Sequence, residues 1–143
     1  MDKIDGVLLK PLKIIKNDMG DVYHFLKNNE KSYKKFGEVY LSTIKHNIIK
    51  SWRKHKKMTL NIVVPVGKIK FVLFDDRRTS KTKNNFFSVT LSTDNYSRLT
   101  IPPKIWFSFK GINYKNILIN FADIKHDPDE VEISKNDFIN FKW

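Results

Sequence analysis

The sequence predicts an all-β fold, a β-sandwich or small barrel with few short helical turns. Apolar and polar residues alternate over short stretches that end at turn residues, which is the period-two pattern of strands. Helical spacing is scarce and is confined to residues 28–36 and to a short turn over residues 135–138 that Ser134 caps. Many short strands at regular spacing are typical of sandwiches and barrels.

The predicted strands share short length, enrichment in Val, Ile, Phe or Tyr, and flanking turn residues. In chain order they cover residues 7–12, 21–26, 38–42, 48–53, 60–65, 68–75, 86–91, 98–101, 106–110 and 117–122. Gly67 lies in a tight turn between two apolar runs, which predicts a hairpin of the strands on either side. The polar run 78–85 predicts another hairpin loop, and Asp94-Asn95 and Pro102-Pro103 mark the next two turns.

Composition excludes several classes of protein. The chain has 143 residues, 41% of them hydrophobic and eleven of them Phe, which suits one folded domain over residues 1–143 rather than a disordered chain. No apolar run approaches the ~20 residues of a membrane helix, and the start lacks the pattern of a signal peptide. The absence of Cys excludes disulfides, thiolate metal sites and Cys nucleophiles, and we expect a cytoplasmic location.

The formal net charge of +12 makes nucleic acid the first partner to consider. The position of the charge is more informative than its total. Basic residues concentrate at 45–57 and 77–83, whereas residues 123–137 are acidic. A basic opening that receives a phosphorylated small molecule fits this distribution as well as a nucleic-acid surface does, and the sequence has no aromatic-and-basic motif of the RNA or single-strand modules.

Three landmarks follow one another along the chain: a strand that carries His55, the turn at Gly67, and the Pro102-Pro103 stretch. Their order and spacing resemble the cupin jelly roll. Metal-binding cupins carry several His and Glu ligands in these motifs, whereas this sequence has Arg53 and Phe107 at two of those positions. One imidazole cannot supply the three or four ligands of a transition metal, so we expect no metal site.

The closer resemblance is to metal-free cupins that act on nucleoside-diphosphate 4-keto sugars. Residues 49–53, 72–77 and 101–103 resemble the motifs of the dTDP-4-dehydrorhamnose 3,5-epimerase family. Val39-Tyr40 and residues 55–57 are similar to motifs of the dTDP-sugar 3,4-ketoisomerases. The resemblance implies a sugar-nucleotide ligand, no cofactor, and a homodimer that pairs through edge strands. The sequence departs from the epimerase pattern at the tyrosine acid, whose position falls on Ile124.

Isomerisation beside a keto group needs a base, an acid and a cation for the enolate. His55 is the candidate base, because it is the only histidine of the motif strand and an imidazole takes up and releases protons near neutral pH. Arg53 lies on the same strand face, where it is able to stabilise the enolate. Tyr40 is the candidate acid, on a neighbouring strand. The remaining substrate-binding candidates are Lys50 and Lys57, as point charges for diphosphate oxygens, and the residues that share the strand face of Tyr40, Glu38 and Ser42.

The predicted function is therefore a sugar-nucleotide epimerase or isomerase in polysaccharide or deoxysugar biosynthesis. Two alternatives stay open: an inactive paralogue that binds sugar nucleotide, and a nucleic-acid-binding β-barrel. The other aromatic and charged features receive structural interpretations. Trp52 and Trp106 are interpreted as core or interface residues, residues 127–130 as an Asx-Pro turn, and the remaining histidines as surface residues: His24, His46 and His126.

Overall fold

The computed structural model describes residues 2–134 and 138–143. Its strands, in chain order, are β1 (Leu8–Pro11), β2 (Ile14–Ile15), β3 (Val22–Tyr23), β4 (Glu38–Lys45), β5 (Trp52–His55), β6 (Leu60–Val66), β7 (Lys68–Phe74), β8 (Phe86–Ser92), β9 (Ser97–Ile101), β10 (Trp106–Gly111), β11 (Lys115–Ala122) and β12 (Val131–Ser134). A single turn of 3-10 helix, Pro128–Glu130, precedes β12. The prediction of an all-β fold is confirmed. Among the described residues, no helix has the length and apolar character needed to span a membrane.

Two five-stranded sheets form the sandwich. The first sheet has the strand order β1-β9-β6-β11-β4, and the second has the order β12-β5-β10-β7-β8. Neighbouring strands in both sheets are antiparallel, and β2 and β3 form a separate two-stranded ribbon. The two sheets enclose the core, which takes Leu60 and Ile62 from β6 and Phe71 and Leu73 from β7.

Gly67 forms a corner between the two sheets. The prediction of a hairpin here is wrong, because β6 pairs with β9 and β11 whereas β7 pairs with β8 and β10. Gly67 has a φ of +81°, and a Cβ atom at this position would stand 2.1 Å from the carbonyl oxygen of Lys115. The chain therefore crosses from one sheet to the other at a point where only glycine fits.

The predicted hairpin loop over residues 78–85 is confirmed, since it joins the paired strands β7 and β8. Asp75 is fully buried at its base and organises it. The Asp75 carboxylate accepts hydrogen bonds from Arg77 Nε at 2.8 Å and from the hydroxyls of Ser80 and Thr82, each at 2.6 Å. The turns at Asp94-Asn95 and Pro102-Pro103 also form as predicted.

Other local predictions are only partly correct. Residues 28–36 form hydrogen-bonded turns and no helix, with the N–H of Tyr33 bonded to Glu30 O at 3.0 Å. Regular pairing of the predicted strand 48–53 begins only at Trp52, after an isolated bridge at Ile49. Only Val22–Tyr23 of the strand predicted at residues 21–26 is extended and paired. The helical turn predicted over residues 135–138 is not tested, because residues 135–137 lie outside the described part of the chain.

A second apolar cluster covers the outer face of the second sheet. Trp52 of β5, Val72 of β7 and Trp106 of β10 pack there with Ile139 of the segment 138–143. Trp52 and Trp106 are buried, which confirms their interpretation as packing residues. Because Trp52 faces outward, strand alternation turns Trp52 and Lys54 of β5 to the outer face of the sheet, and Arg53 and His55 to the inner face.

Candidate active site

A cavity of about 380 Å³ lies between the two sheets. Its apolar lining comes from β6, β10, β11 and the start of β12, together with Met58 of the segment between β5 and β6, and it includes Leu60, Phe107, Phe109 and Leu118. Its polar lining comes from both sheets and consists of Glu38, Tyr40, Ser42, Lys50, Arg53, His55, Asn120 and His126. The cavity therefore offers an apolar wall together with groups able to bind anions and transfer protons.

Strand alternation brings most of the predicted site residues together. Glu38, Tyr40 and Ser42 occupy alternate positions of β4 in the first sheet, and Arg53 and His55 occupy alternate positions of β5 in the second. Period-two alternation turns each set to one face of its strand, and the two faces meet across the cavity.

Lys50 and Lys57 differ in their placement. Lys50 lines the cavity, and its backbone is fixed on β10 by its N–H bond to Phe109 O at 2.9 Å and by the Ser108 hydroxyl, which donates to Lys50 O at 2.5 Å. Lys57 is exposed and is not part of the lining. Its backbone N–H instead donates to Glu130 Oε2 at 3.2 Å. Lys57 therefore contributes to this site through its main chain.

His55 and Glu130 form a buried pair. The two residues are 7% and 4% exposed, and His55 Nδ1 is hydrogen-bonded to Glu130 Oε1. Glu130 Oε2 accepts from the backbone N–H groups of Lys57 and Met58, so both carboxylate oxygens are occupied. The His55 ring also stacks on Phe107, with the ring planes 13° apart. These contacts fix the imidazole in place and leave Nε2 for a ligand in the cavity.

Glu130 is held as a carboxylate. Burial acts to raise its pKa, but the hydrogen bonds from His55 and from the N–H groups of Lys57 and Met58 act more strongly, so the pKa lies below its ordinary value. An ionised Glu130 keeps a proton on His55 Nδ1 and stabilises the imidazolium that forms when Nε2 accepts a second proton. The pair therefore has the arrangement of a general base.

Tyr40 lies on the opposite side of the cavity, paired with Asn120 across β4 and β11. The Asn120 Nδ2 group donates to Tyr40 Oη at 3.0 Å. Burial raises the pKa of the Tyr40 phenol above its ordinary value, and the hydrogen bond from Asn120 opposes part of this rise. The phenol is therefore a protonated group that faces the cavity at neutral pH.

Two residues at the cavity were not assigned to the site from the sequence. His126 is exposed, as its interpretation as a surface residue predicts, and it also forms part of the cavity lining. The turn at residues 127–130 forms as predicted, with Asp127 Oδ1 accepting from Asp129 N–H at 2.9 Å. The same turn places Glu130 next to His55, and this pairing could not be predicted from the sequence because the two residues are 75 positions apart. Ile124, at the position of the epimerase tyrosine, does not line the cavity.

Metal ligands are not clustered in the part of the chain that the structure describes. There, no group of three or more His, Cys, Asp or Glu side chains is placed to hold a metal ion. The cationic groups of the cavity lining are Lys50 and Arg53, and the guanidinium of Arg53 suits bidentate contacts with anionic oxygens.

Comparison with known proteins identifies relatives over nearly the whole chain, although no family model matches it. The chain is 26% identical to the spore coat polysaccharide biosynthesis protein SpsL of Bacillus subtilis strain 168, over 98% of this chain and 96% of that protein. It is 25% identical to the probable low-salt glycan biosynthesis epimerase Agl13 of Haloferax volcanii, over 93% of this chain and 89% of that protein.

Among solved structures, the dTDP sugar isomerase of Desulfovibrio desulfuricans G20 matches with a TM-score of 0.93 and 35% identity, covering 98% of this chain and 92% of that one. Solved dTDP-4-dehydrorhamnose 3,5-epimerases that are 13% and 20% identical share the fold. The 35% identity over nearly the full length of both chains leads to one conclusion: this chain belongs to the dTDP-sugar isomerase family.

Proposed function

We propose that the chain is a sugar-nucleotide epimerase or isomerase that acts on a dTDP-4-keto-6-deoxysugar by abstracting the proton next to the keto group. The observation that carries this proposal is the buried His55–Glu130 pair, which lines the same cavity as Tyr40. The names of the relatives support it, since one solved relative is a dTDP sugar isomerase and one protein relative is named as a probable epimerase.

In the proposed reaction, His55 Nε2 takes the proton from the carbon beside the keto group. The electron pair of that C–H bond forms a C=C bond, and the carbonyl electrons move to oxygen as an enolate. Arg53 stabilises this negative charge, and Lys50 binds diphosphate oxygens. The Tyr40 hydroxyl then donates its proton to the same carbon from the other face, which inverts the configuration. The His55 and Tyr40 protons exchange afterwards with water.

The separation of the two groups supports inversion. Tyr40 belongs to the first sheet and His55 to the second, and both line the cavity that lies between the sheets. A sugar ring bound there has one group toward each face. A 3,4-ketoisomerase begins with the same proton abstraction and differs in returning the proton to the neighbouring carbon. The identity of the product therefore distinguishes the two reactions.

The test is incubation with a panel of dTDP-, GDP- and UDP-4-keto sugars in deuterated water, with deuterium uptake at C3 and C5 followed by NMR. We expect uptake with a dTDP sugar, its loss in His55→Asn, and nearly unchanged nucleotide binding by that variant. His46→Asn is the matched control, because His46 stacks on Tyr114 outside the cavity. Binding of the sugars by wild-type protein without any uptake would instead establish an inactive binding protein.

We further propose that the protein is a homodimer that works in the cytoplasm. Edge strand β4 supports the dimer, because Val39 and Leu41 on its outer face are 46% and 65% exposed. Phe36 is also 65% exposed and its ring lies 5.7 Å from that of Phe121, the cross-strand partner of Val39. Apolar side chains grouped in this way on a sheet edge are typical of an interface between subunits. The absence of Cys suits a reducing compartment.

A further inference from the structure

Asn120 is a buried amide beside the candidate acid. It lies on β11 with a relative exposure of 0%, on the face that also presents Leu118 to the core. A buried amide destabilises the fold when its polar atoms lack partners, so its hydrogen bonds decide whether it is tolerated. Both ends of the Asn120 amide have a partner.

The orientation of the Asn120 amide follows from these partners. Oδ1 accepts the backbone N–H of Asn61 at 3.1 Å. A backbone N–H is only a donor, so the amide atom that meets it has to be the oxygen. The NH2 group is thereby directed to Tyr40 Oη, 3.0 Å away. An amide NH2 donates and never accepts, so the Tyr40 oxygen is the acceptor in this bond.

The direction of this hydrogen bond leaves the Tyr40 proton available. Because the Tyr40 oxygen accepts from Asn120, its own O–H does not point at Asn120 and is able to donate to a ligand in the cavity. When that proton leaves, the N–H of Asn120 remains on the phenolate oxygen and stabilises its charge. The same hydrogen bond thus orients the acid before transfer and stabilises its conjugate base afterwards.

We propose that Asn120 is a positioning residue that directs the Tyr40 hydroxyl toward the substrate and stabilises the phenolate left after proton transfer. This inference rests on the proposed function, with Tyr40 as the acid. The proton passes from Tyr40 Oη to the substrate carbon, the C–H bond forms from the enolate electron pair, and the phenolate regains a proton from water.

The test uses Asn120→Asp, which keeps the shape of the side chain and the acceptor for Asn61 N–H but replaces the donor to Tyr40 with an acceptor. The Tyr40 proton then bonds to the carboxylate, away from the substrate. We expect product formation to fall about 100-fold, a typical loss for an acid–base group, while deuterium exchange by His55 and the KM change by less than about threefold. An ultraviolet titration gives a second measurement, in which the signal that is absent from Tyr40→Phe is assigned to the Tyr40 phenol. In Asn120→Asp this phenol should ionise at higher pH than in wild-type protein, because the nearby carboxylate destabilises the phenolate.

A double-mutant cycle separates positioning from folding. In the Tyr40→Phe background, Asn120→Asp should lower product formation no further, because no phenol is left to position. Asn116→Asp is the matched control, because Asn116 is a buried amide on the same face of β11 but outside the cavity lining. If this variant loses folded protein, deuterium exchange and product formation should fall together. If Asn120→Asp fails to fold, Asn120→Ala removes the same donor and should give the same split between exchange and product formation.

Equal losses of exchange and product formation in the Asn120 variant, or additive losses in the double mutant, would overturn the proposal and assign Asn120 to the fold alone. Failure of the proposed function has a different signature, since wild-type protein would then exchange no deuterium with any sugar of the panel. The ultraviolet titration still tests the hydrogen bond in that case, and an unchanged phenol pKa in Asn120→Asp would overturn the proposal.

Discussion

At the scale of single residues, Glu130 determines which nitrogen of His55 is left for a ligand in the cavity. One of its oxygens meets His55 Nδ1, and the other is occupied by the N–H groups of Lys57 and Met58. A carboxylate satisfies all three donors, whereas an amide of the same shape does not. The motif strand was enough to identify His55, but no pattern in the sequence pairs this histidine with a glutamate in an acidic turn.

Glu130→Gln tests this pairing. The Gln oxygen is needed by the two backbone N–H groups, so its NH2 group should face His55 Nδ1 and force the ring proton onto Nε2. The neutral imidazole then presents a donor to the substrate, and we expect deuterium exchange to fall by about 10²-fold or more. Glu132→Gln is the control, because Glu132 lies two residues further along the chain, in β12, and contacts Lys54 at 3.4 Å instead of His55. Equal exchange rates in the two variants would contradict the role of Glu130.

Glu30 gives a pH-dependent contribution to stability. Arg98, which is only 1% exposed, donates to Glu30 Oε2 at 2.7 Å and, together with Lys10, lowers the pKa of Glu30 from 4.5 to about 2 despite its burial. A carboxyl whose pKa is lowered on folding stabilises the protein above its unfolded pKa and loses that contribution as the pH falls through the folded pKa. Between pH 4.5 and pH 2, the unfolding free energy should fall by on the order of 3 kcal/mol from this group.

The measurement is urea denaturation of wild-type protein and Glu30→Gln from pH 7 to the lowest pH at which both fold. The difference in unfolding free energy between them should be largest at pH 7, because the variant leaves Arg98 buried without its charge partner. It should narrow as the pH drops below about 4.5. Asp21→Asn, which removes an exposed partner of Lys16, serves as the control. A difference that stays constant with pH would contradict the assignment.

At the scale of elements, alternation predicted most strands but not their partners. Strands β6 and β7 are two apolar runs joined by a glycine turn, a pattern that a hairpin and a sheet corner share, and long-range pairing decides between them. Strand β12 escaped prediction because Val131–Ser134 is short and follows an acidic turn. The site residues on β4 and β5 were predictable because strand alternation alone turns them to one face, whereas Glu130, His126 and Asn120 depend on contacts with distant strands.

Gly67→Ala tests the sheet corner. The new Cβ would meet Lys115 O at 2.1 Å and Asn116 Oδ1 at 2.5 Å, in addition to a φ of +81° that disfavours alanine. We expect the unfolding free energy to fall by about 3 kcal/mol or more. Gly20→Ala is a matched control, since Gly20 also has a positive φ, +137°, but no atom lies within 4 Å of its Cβ position. The control should lose about 1 kcal/mol, from backbone strain alone. Equal losses at both glycines would show that the corner is not tightly packed.

At the scale of the whole molecule, the two sheets share one core, so we expect residues 1–143 to unfold in a single transition. The fold class was predictable at this scale because it depends on strand spacing and on the scarcity of helical pattern. The exposure of apolar side chains on the outer face of the first sheet was not predictable, because Val39 and Leu41 fit the same alternating pattern whether water or a second subunit covers them.

Leu41→Lys tests the proposed dimer. A lysine in the centre of an apolar interface lacks a partner for its charge and should convert a dimer to monomers at micromolar concentration in sedimentation velocity. Met19→Lys is the control: Met19 is 95% exposed in the turn between β2 and β3, away from β4, and the variant should remain a dimer. A monomeric wild-type protein would contradict the homodimer.

The cluster on the outer face of the second sheet has a spectroscopic consequence. The chain has three Trp, and Trp52, Trp106 and Trp143 all belong to this cluster, with the rings of Trp52 and Trp143 6.3 Å apart. None of them lines the cavity. Indole emission therefore reports how the segment 138–143 packs on the sheet, and a nucleotide that fills the cavity should leave its wavelength unchanged. The same emission serves as an internal standard of folding for every cavity variant, independent of whether that variant binds or turns over its ligand.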